Sequence, residues 1–288
     1  MDCLPKCPLP SLRPRLTALV LALVACAPGC RPAKAGPVPL NVLVLTLDDL
    51  TPAHLAKEID TYLPLIERAT RFENAHAPSG ERGPALEALW FGDSSGAASG
   101  LLSFPERLHE LGIVSAAIVA APTGRIPSDL LVRFDRVEAL EGDFTDPQLL
   151  AGGLTSWLAA TDDAGIGSWL LWLHGTVGEA GPAGICELLE QTLAAHPAGP
   201  HTIVVLAGLP LGPASTQVPL AIGSPEVGAE WEQAPVQLQD VVPTLAERLS
   251  QRLYNEGLAE STGDGISLCA ALLGLPIERE TTPEGEAE

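Results

Sequence analysis

The amino-acid order predicts an α/β protein on a mostly parallel sheet, and three observations carry that prediction. Short, nearly unbroken apolar runs recur along the chain, as in "NVLVLTL", "IVSAAIVAA", "SWLLWLH" and "HTIVVLAG". Such runs suit strands buried on both faces. Segments of helical period separate them, and glycine or proline punctuates the changes from one to the other.

Taken in order, "NVLVLTL" is the first strand, and it runs into Asp48 and Asp49 before a proline-marked helix start at Pro52. "LPLIERAT" and "PALEALWFG" read as helices, and "LLSFPERLHELG" reads as a longer one stopping at Gly112. "IVSAAIVAA" is a strand, "LAGGLTSWLAATD" a helix and "SWLLWLH" a strand. "GICELLEQTLAAHPAG" is a helix closed by proline and glycine, and "HTIVVLAGLPLG" is a strand leaving into a loop. "QLQDVVPTLAERLS" closes the pattern as a helix that Asp240 can cap.

Composition bounds the function classes. At 288 residues with 46% hydrophobic content, the chain has enough apolar material for one sizeable core. A formal charge of −20 repels polyanions, so no nucleic-acid partner is expected. No GxGxxG follows the first strand and no P-loop occurs, which argues against a Rossmann-like carrier.

The N-terminus reads as an export signal, residues 1–25. Arg13 and Arg15 flank an apolar run from Leu16 to Ala25 that is too short to span a bilayer. Its end, "LVAC", resembles a bacterial lipobox, which makes Cys26 the lipidation site; Cys30 in "APGC", or ordinary cleavage nearby, are the alternatives. Residues 26–39 are a proline-rich linker, 40–274 the folded domain and 275–288 an acidic, disordered tail. The expected location is therefore the bacterial cell envelope, with membrane contact through the lipid at the outer membrane or periplasmic face. Cys186 and Cys269 fall in apolar helical stretches and read as buried thiols.

With this order of elements, the local sequences resemble the sulfatase and alkaline phosphatase superfamily over most of the chain beyond the signal. Leu47, Asp48 and Asp49 match the "LDD" or "LDT" that ends that family's first strand, and "FENAHAPSGERGPALEALWFG" lies without a gap on "FTNAYAPSPxTLPSxASLLTG". "FPERLHELGIVSAAIVA", "FDRVEAL", "WLLWLHG", "HTIVVLAGLPLG" and "APVQLQDVVPTLAERLS" follow as counterparts of further family segments, in the family's order. The resemblance implies a three-layer α/β/α sandwich, alkaline-phosphatase-like. It also implies a divalent cation in an oxygen-rich cage, and a nucleophile at a helix N-terminus that attacks a sulfate or phosphate ester.

Against that implied site the chain is depleted. Arg82 stands at the nucleophile position, and Ala85 and Leu86 replace the serine and basic residue that follow it. Leu209 and Pro210 stand at the Asp and His of the second metal loop, and Val177 and Glu179 at two further polar positions, leaving His174. Asp48 and Asp49 are then a remnant metal site. No cofactor is expected, or Ca or Mg if any metal binds. The other reading is that Asp49 caps the helix at Pro52 while Asp48 accepts loop amides. Arg82 has no lone pair to attack with, but brought opposite the first strand it can replace the lost cation's charge. Ser79 and His174 are the residual catalytic candidates; a turn serine and a satisfied strand-end histidine are the plain alternatives. The other histidines, at 54, 76, 109, 196 and 201, show no ligand spacing. Trp157, Trp169 and Trp172 read as core, or as a rim stacking on sugar. Two functions follow: a catalytically inactive binding or scaffold module for a protein or glycan partner, or a divergent metal-dependent sulfuric or phosphoric ester hydrolase.

Lipidation is directly testable. In a bacterial host fed an alkyne fatty acid, the chain is expected to label and to sediment with membranes, and Cys26→Ser is expected to abolish both.

Overall fold

The computed structural model describes residues 41–57, 69–93, 100–120, 126–179, 181–210, 212, 215–224, 230–253 and 267–272. The residues read from the sequence as an export signal, 1–25, a linker, 26–39, and an acidic tail, 275–288, lie outside the described residues.

The fold is built outward from strand β1 (Asn41–Asp48), which is buried at every position. Alternation splits its side chains between two cores. Val42 and Val44 enter one cluster, and Leu43, Leu45 and Leu47 the other. Each of those leucines contributes about 1.5–3 kcal/mol by leaving water. Strands β4 (Val114–Val119), β6 (Trp169–Thr176) and β7 (Thr202–Gly208) lie parallel with β1, and β5 (Arg136–Ala139) extends the parallel set beyond β4.

Beyond β7 the sheet turns mixed. β8 (Leu220–Gly223) is antiparallel to both β7 and β2 (Ala69–Phe72), and β9 (Glu230–Glu232) closes that side, giving the order β5-β4-β6-β1-β7-β8-β2-β9. A two-stranded pairing of β3 (Ala75–His76) with β10 (Val236–Gln237) stands apart from it. The short helix α1 (Pro52–Lys57) follows β1.

Helices cover both faces. α2 (Arg82–Phe91), α3 (Phe104–Glu110), the short α4 (Ser128–Leu131) and α7 (Val241–Leu253) pack on the Val42 side. α5 (Pro147–Asp163) and α6 (Gly181–Ala194) pack on the Leu43 side, and α8 (Cys269–Leu272) lies against α7. This is the three-layer sandwich with a mostly parallel central sheet.

Local chemistry sets several boundaries. α3 opens on a capping box in which the Ser103 N–H and O–H both donate to Glu106 Oε2 at 2.8 Å. It stops at Glu110, short of the expected Gly112, because Gly112 takes a left-handed φ of 74° and donates back to the His109 carbonyl. The expected capping by Asp240 is corrected: a 3-10 turn (Leu238–Asp240) precedes α7, Gln237 stands at its N-cap, and Asp240, as its third residue, accepts from the Gln237 N–H at 2.8 Å. The helix expected over "LPLIERAT" is corrected at its end: Ala69 and Thr70 belong to β2, held there by pairing with β8, and the preceding residues lie outside the described set. Cross-strand partners decided that short segment, whose helical pattern was brief. Trp157, Trp169 and Trp172 are all core, and Cys186 and Cys269 are buried thiols. Burial pushes the Cys269 thiol up to about 11.

Asp135 fastens α3 to the sheet. Its carboxylate accepts from the Ser115 N–H and O–H at 2.8 and 2.9 Å and meets His109 Nδ1 at 2.6 Å. Burial works to raise its pKa, but the Ser115 and His109 bonds outweigh burial and leave it below the ordinary 3.8. Glu106 behaves alike: burial raises it, while Arg133 and Ser103 together bring it below 4.5. Both carboxylates therefore stabilise the fold fully above their unfolded pKa values, and lose that contribution as pH falls through the lower folded ones. Asp135→Asn is expected to lower the urea midpoint at neutral pH, with the deficit shrinking below about pH 4.

Candidate functional site

The C-terminal ends of β1, β6 and β7 converge where α2 begins, and the pattern of β1 decides what arrives there. Period two places Asp48 on the same face as Val42, Val44 and Thr46, toward α2. Asp49, one residue on, leaves the strand with a left-handed φ of 64° and is exposed. The two carboxylates are thus separated by the backbone rather than paired.

Arg82 meets Asp48 side on. Its Nε donates to Asp48 Oδ1 at 2.9 Å, and its Nη2 lies 2.9 Å from Oδ2, so one guanidinium edge spans the carboxylate. Asp48 is fully buried and the Arg82 side chain is 27% exposed. The Nε–Oδ1 contact is a charge-assisted hydrogen bond, among the stronger polar contacts in proteins, and the Nη2–Oδ2 approach adds a second close charge contact. Arg82 is the first residue of α2, and the helix is fixed by its buried side, where Trp90 packs edge-on to Phe134 at 5.2 Å and against Trp172 at 5.3 Å. Aromatic packing on β6 thereby sets where the guanidinium sits.

His174 completes the cluster from β6. It is wholly buried, its Nδ1 lies 2.8 Å from Thr46 Oγ1, and its Nε2 lies 3.8 Å from Asp48 Oδ2. The Trp172 indole N–H donates to the same Thr46 oxygen at 2.8 Å. That gives a continuous polar line from Trp172 through Thr46 and His174 to Asp48 and Arg82. At 3.8 Å the last histidine step is electrostatic and not a hydrogen bond. Thr46 was not singled out from the sequence, and Trp172 was read as core or as a sugar-stacking rim rather than as a donor to this cluster. The available signal was Thr46, a polar residue inside the apolar run, two positions after Val44 and two before Asp48.

The remaining candidates fall elsewhere. Ser79 accepts from the Glu81 N–H at 3.1 Å, closing its own turn ahead of α2. Asp49 is not the cap of α1: Thr51 and His54 cap that helix reciprocally, with the Thr51 N–H donating to His54 Nδ1 at 3.1 Å and the His54 N–H to Thr51 Oγ1 at 3.4 Å. Their spacing of three residues satisfies the free amides of the first turn.

A divalent cation does not fit the residues present. Arg82 already supplies positive charge to both Asp48 oxygens. After β7, Leu209 and Pro210 are buried and offer no metal-ligating side chain, and the Leu209 N–H donates to the Leu47 carbonyl at 3.3 Å. The close approach that sets this loop is visible at Gly208, where a Cβ would stand 2.5 Å from Pro219 and 2.9 Å from the Leu50 carbonyl. Val177 donates its N–H to the Asp48 carbonyl and offers only an aliphatic side chain, while Glu179 is exposed. Among the described residues, no three His, Cys, Asp or Glu side chains converge on a common point.

The sheet order and the covering helices define a sulfatase-like fold, the one found in solved sulfatases and in a solved protein of the alkaline phosphatase superfamily. Solved structures share it. The phosphonate monoester hydrolase of Agrobacterium radiobacter matches at 14% identity with a TM-score of 0.60, covering 83% of this chain and 78% of its own. A protein of the alkaline phosphatase superfamily from Vibrio parahaemolyticus matches at 13% identity and TM-score 0.58, over 85% of this chain and 72% of its own. A 2-O GAG sulfatase matches at 15% identity and TM-score 0.59, over 84% and 76%. At these identities the shared property is the fold. No protein-family profile and no curated protein sequence matches the chain.

The ion pair yields a stability test. Arg82→Leu leaves a buried carboxylate without its guanidinium and is expected to cost about 3 kcal/mol. Adding Asp48→Asn is expected to recover part of that loss. A double-mutant cycle by chemical denaturation reads the coupling.

Proposed function

We propose that this chain is an exported, lipid-anchored, sulfatase-like protein without hydrolytic activity, serving as a binding or scaffold module for a protein or glycan partner at a bacterial cell envelope. One observation carries the reading: the Arg82 guanidinium spans both oxygens of Asp48, at the nucleophile position and the metal-ligand position together. Ester hydrolysis in this fold needs an oxygen nucleophile and a cation to stabilise charge on the transferring group. Arginine has no lone pair and keeps its proton. Asp48 is committed to Arg82, and Ser79 is held in a turn. His174 has its Nδ1 on Thr46.

Arg82 also explains how the fold tolerates the loss. An isolated buried carboxylate would be strongly destabilising, and a guanidinium three ångströms away replaces a metal's charge without its coordination demands. The "LVAC" segment at Cys26 supports tethering, and the charge of −20 leaves nucleic acid out of the partner set.

Metal analysis of the purified full-length chain, together with aryl sulfate and aryl phosphate assays, tests this reading. The expected outcome is no stoichiometric metal, and turnover no greater than that of Asp48→Ala. Stoichiometric Ca or Mg with Asp48-dependent turnover would establish the divergent ester hydrolase in its place.

A further inference from the structure

Among the described residues, strand β5 ends the sheet with β4 as its only neighbour, and all four of its residues, Arg136 to Ala139, are exposed. The ladder fixes which backbone groups remain available. Leu140 donates its N–H to the Val119 carbonyl at 2.9 Å, and Val119 pairs with Ala139. In a parallel ladder the groups facing one neighbour alternate by residue, so Glu138 and Leu140 turn toward β4 while Val137 and Ala139 turn their N–H and C=O outward. Val137 is 46% exposed on this edge.

Charged side chains on an edge strand usually guard it against pairing. Here their order does the opposite for one partner. The sequence Arg136-Val137-Glu138 is charge-complementary to itself when reversed. If two copies run antiparallel about a two-fold axis at Val137, Val137 faces its own counterpart as a doubly hydrogen-bonded pair. Each Arg136 then falls opposite the other copy's Glu138. The outward groups of Val137 are those this register requires. A shift by one residue would bring inward-facing amides to the joint and set Arg136 opposite an uncharged residue. Arg136 also has support on its own copy, its guanidinium carbon lying 5.8 Å from the centre of the Trp157 ring. With both copies at −20, general electrostatics opposes association, so pairing has to neutralise charge locally, and this register supplies two oppositely charged pairs.

We propose that β5 is an interaction surface for a second copy of this chain, joining two sheets edge to edge through an antiparallel, two-fold pairing centred on Val137. The proposal is independent of whether the Asp48 site is active.

Analytical ultracentrifugation of the purified full-length chain tests it, with far-UV circular dichroism to verify that each variant is folded. The wild type is expected to show a concentration-dependent dimer. Arg136→Glu and Glu138→Arg each set like charges opposite one another twice, and each is expected to weaken the dimer about tenfold or more. The double exchange R136E/E138R restores opposite charges and is expected to restore the dimer. Cα atoms of a hydrogen-bonded antiparallel pair lie about 5.5 Å apart, within disulfide reach, so Val137→Cys is expected to crosslink under mild oxidation. Val132→Cys, at a position 76% exposed outside the strand, is expected not to. That register-specific crosslink separates this dimer from association through the N-terminal apolar segment. A wild type that stays monomeric, a dimer insensitive to the single reversals, or failure of the double exchange to rescue folded variants would overturn the proposal.

Discussion

One guanidinium edge laid against one buried carboxylate organises the centre of this molecule. Asp48 reaches the interior because β1 is buried on both faces and the two-residue period sends it to the α2 side. Bare ionised carboxylates are not tolerated there, so the fold requires a cation at that point. Arg82 is that cation, and its 2.9 Å contacts at both oxygens join the first strand to the first residue of α2.

The pair is precise because its supports are rigid. α2 cannot rotate without displacing Trp90 from Phe134 and Trp172, and Trp172 is tied through its indole N–H to Thr46, two residues before Asp48. The same aromatic cluster and strand ends that would orient a catalytic constellation in this architecture here orient an ion pair. The loop after β7 is brought equally close, with the Leu209 N–H on the Leu47 carbonyl, yet it delivers aliphatic side chains. Backbone geometry brings these strand ends together whatever side chains they carry. A fold and a chemistry are separable for this reason: strand register and helix packing depend on apolar residues, and reactivity on a few polar ones at loop ends.

How far the sequence could be read follows the same division. Long apolar runs such as "NVLVLTL" and "SWLLWLH", and helices with buried faces such as α5 and α6, were legible because their periodicity is the physical cause of their placement. Ala69 and Thr70 were misread as helix because β2 exists through pairing with strands far along the chain. Asp49 looked like a helix cap or half of a metal pair. Only the left-handed turn at that residue shows it pointing away, and only coordinates show Thr51 and His54 sharing the cap. Thr46 went unnoticed because a threonine in a strand is ordinary until a neighbouring strand places His174 and Trp172 beside it.

By itself the sequence determined the α/β class, the principal strands and helices, and that Arg82, Leu209 and Pro210 carry no group that attacks or coordinates. These are properties of local pattern and of residue chemistry. The tertiary structure decided which carboxylate Arg82 engages, that Asp48 and Asp49 part company, and that β5 is left with outward-facing amides. Such facts depend on strand register and on groups distant in the chain meeting in space, and no local stretch of residues encodes them alone.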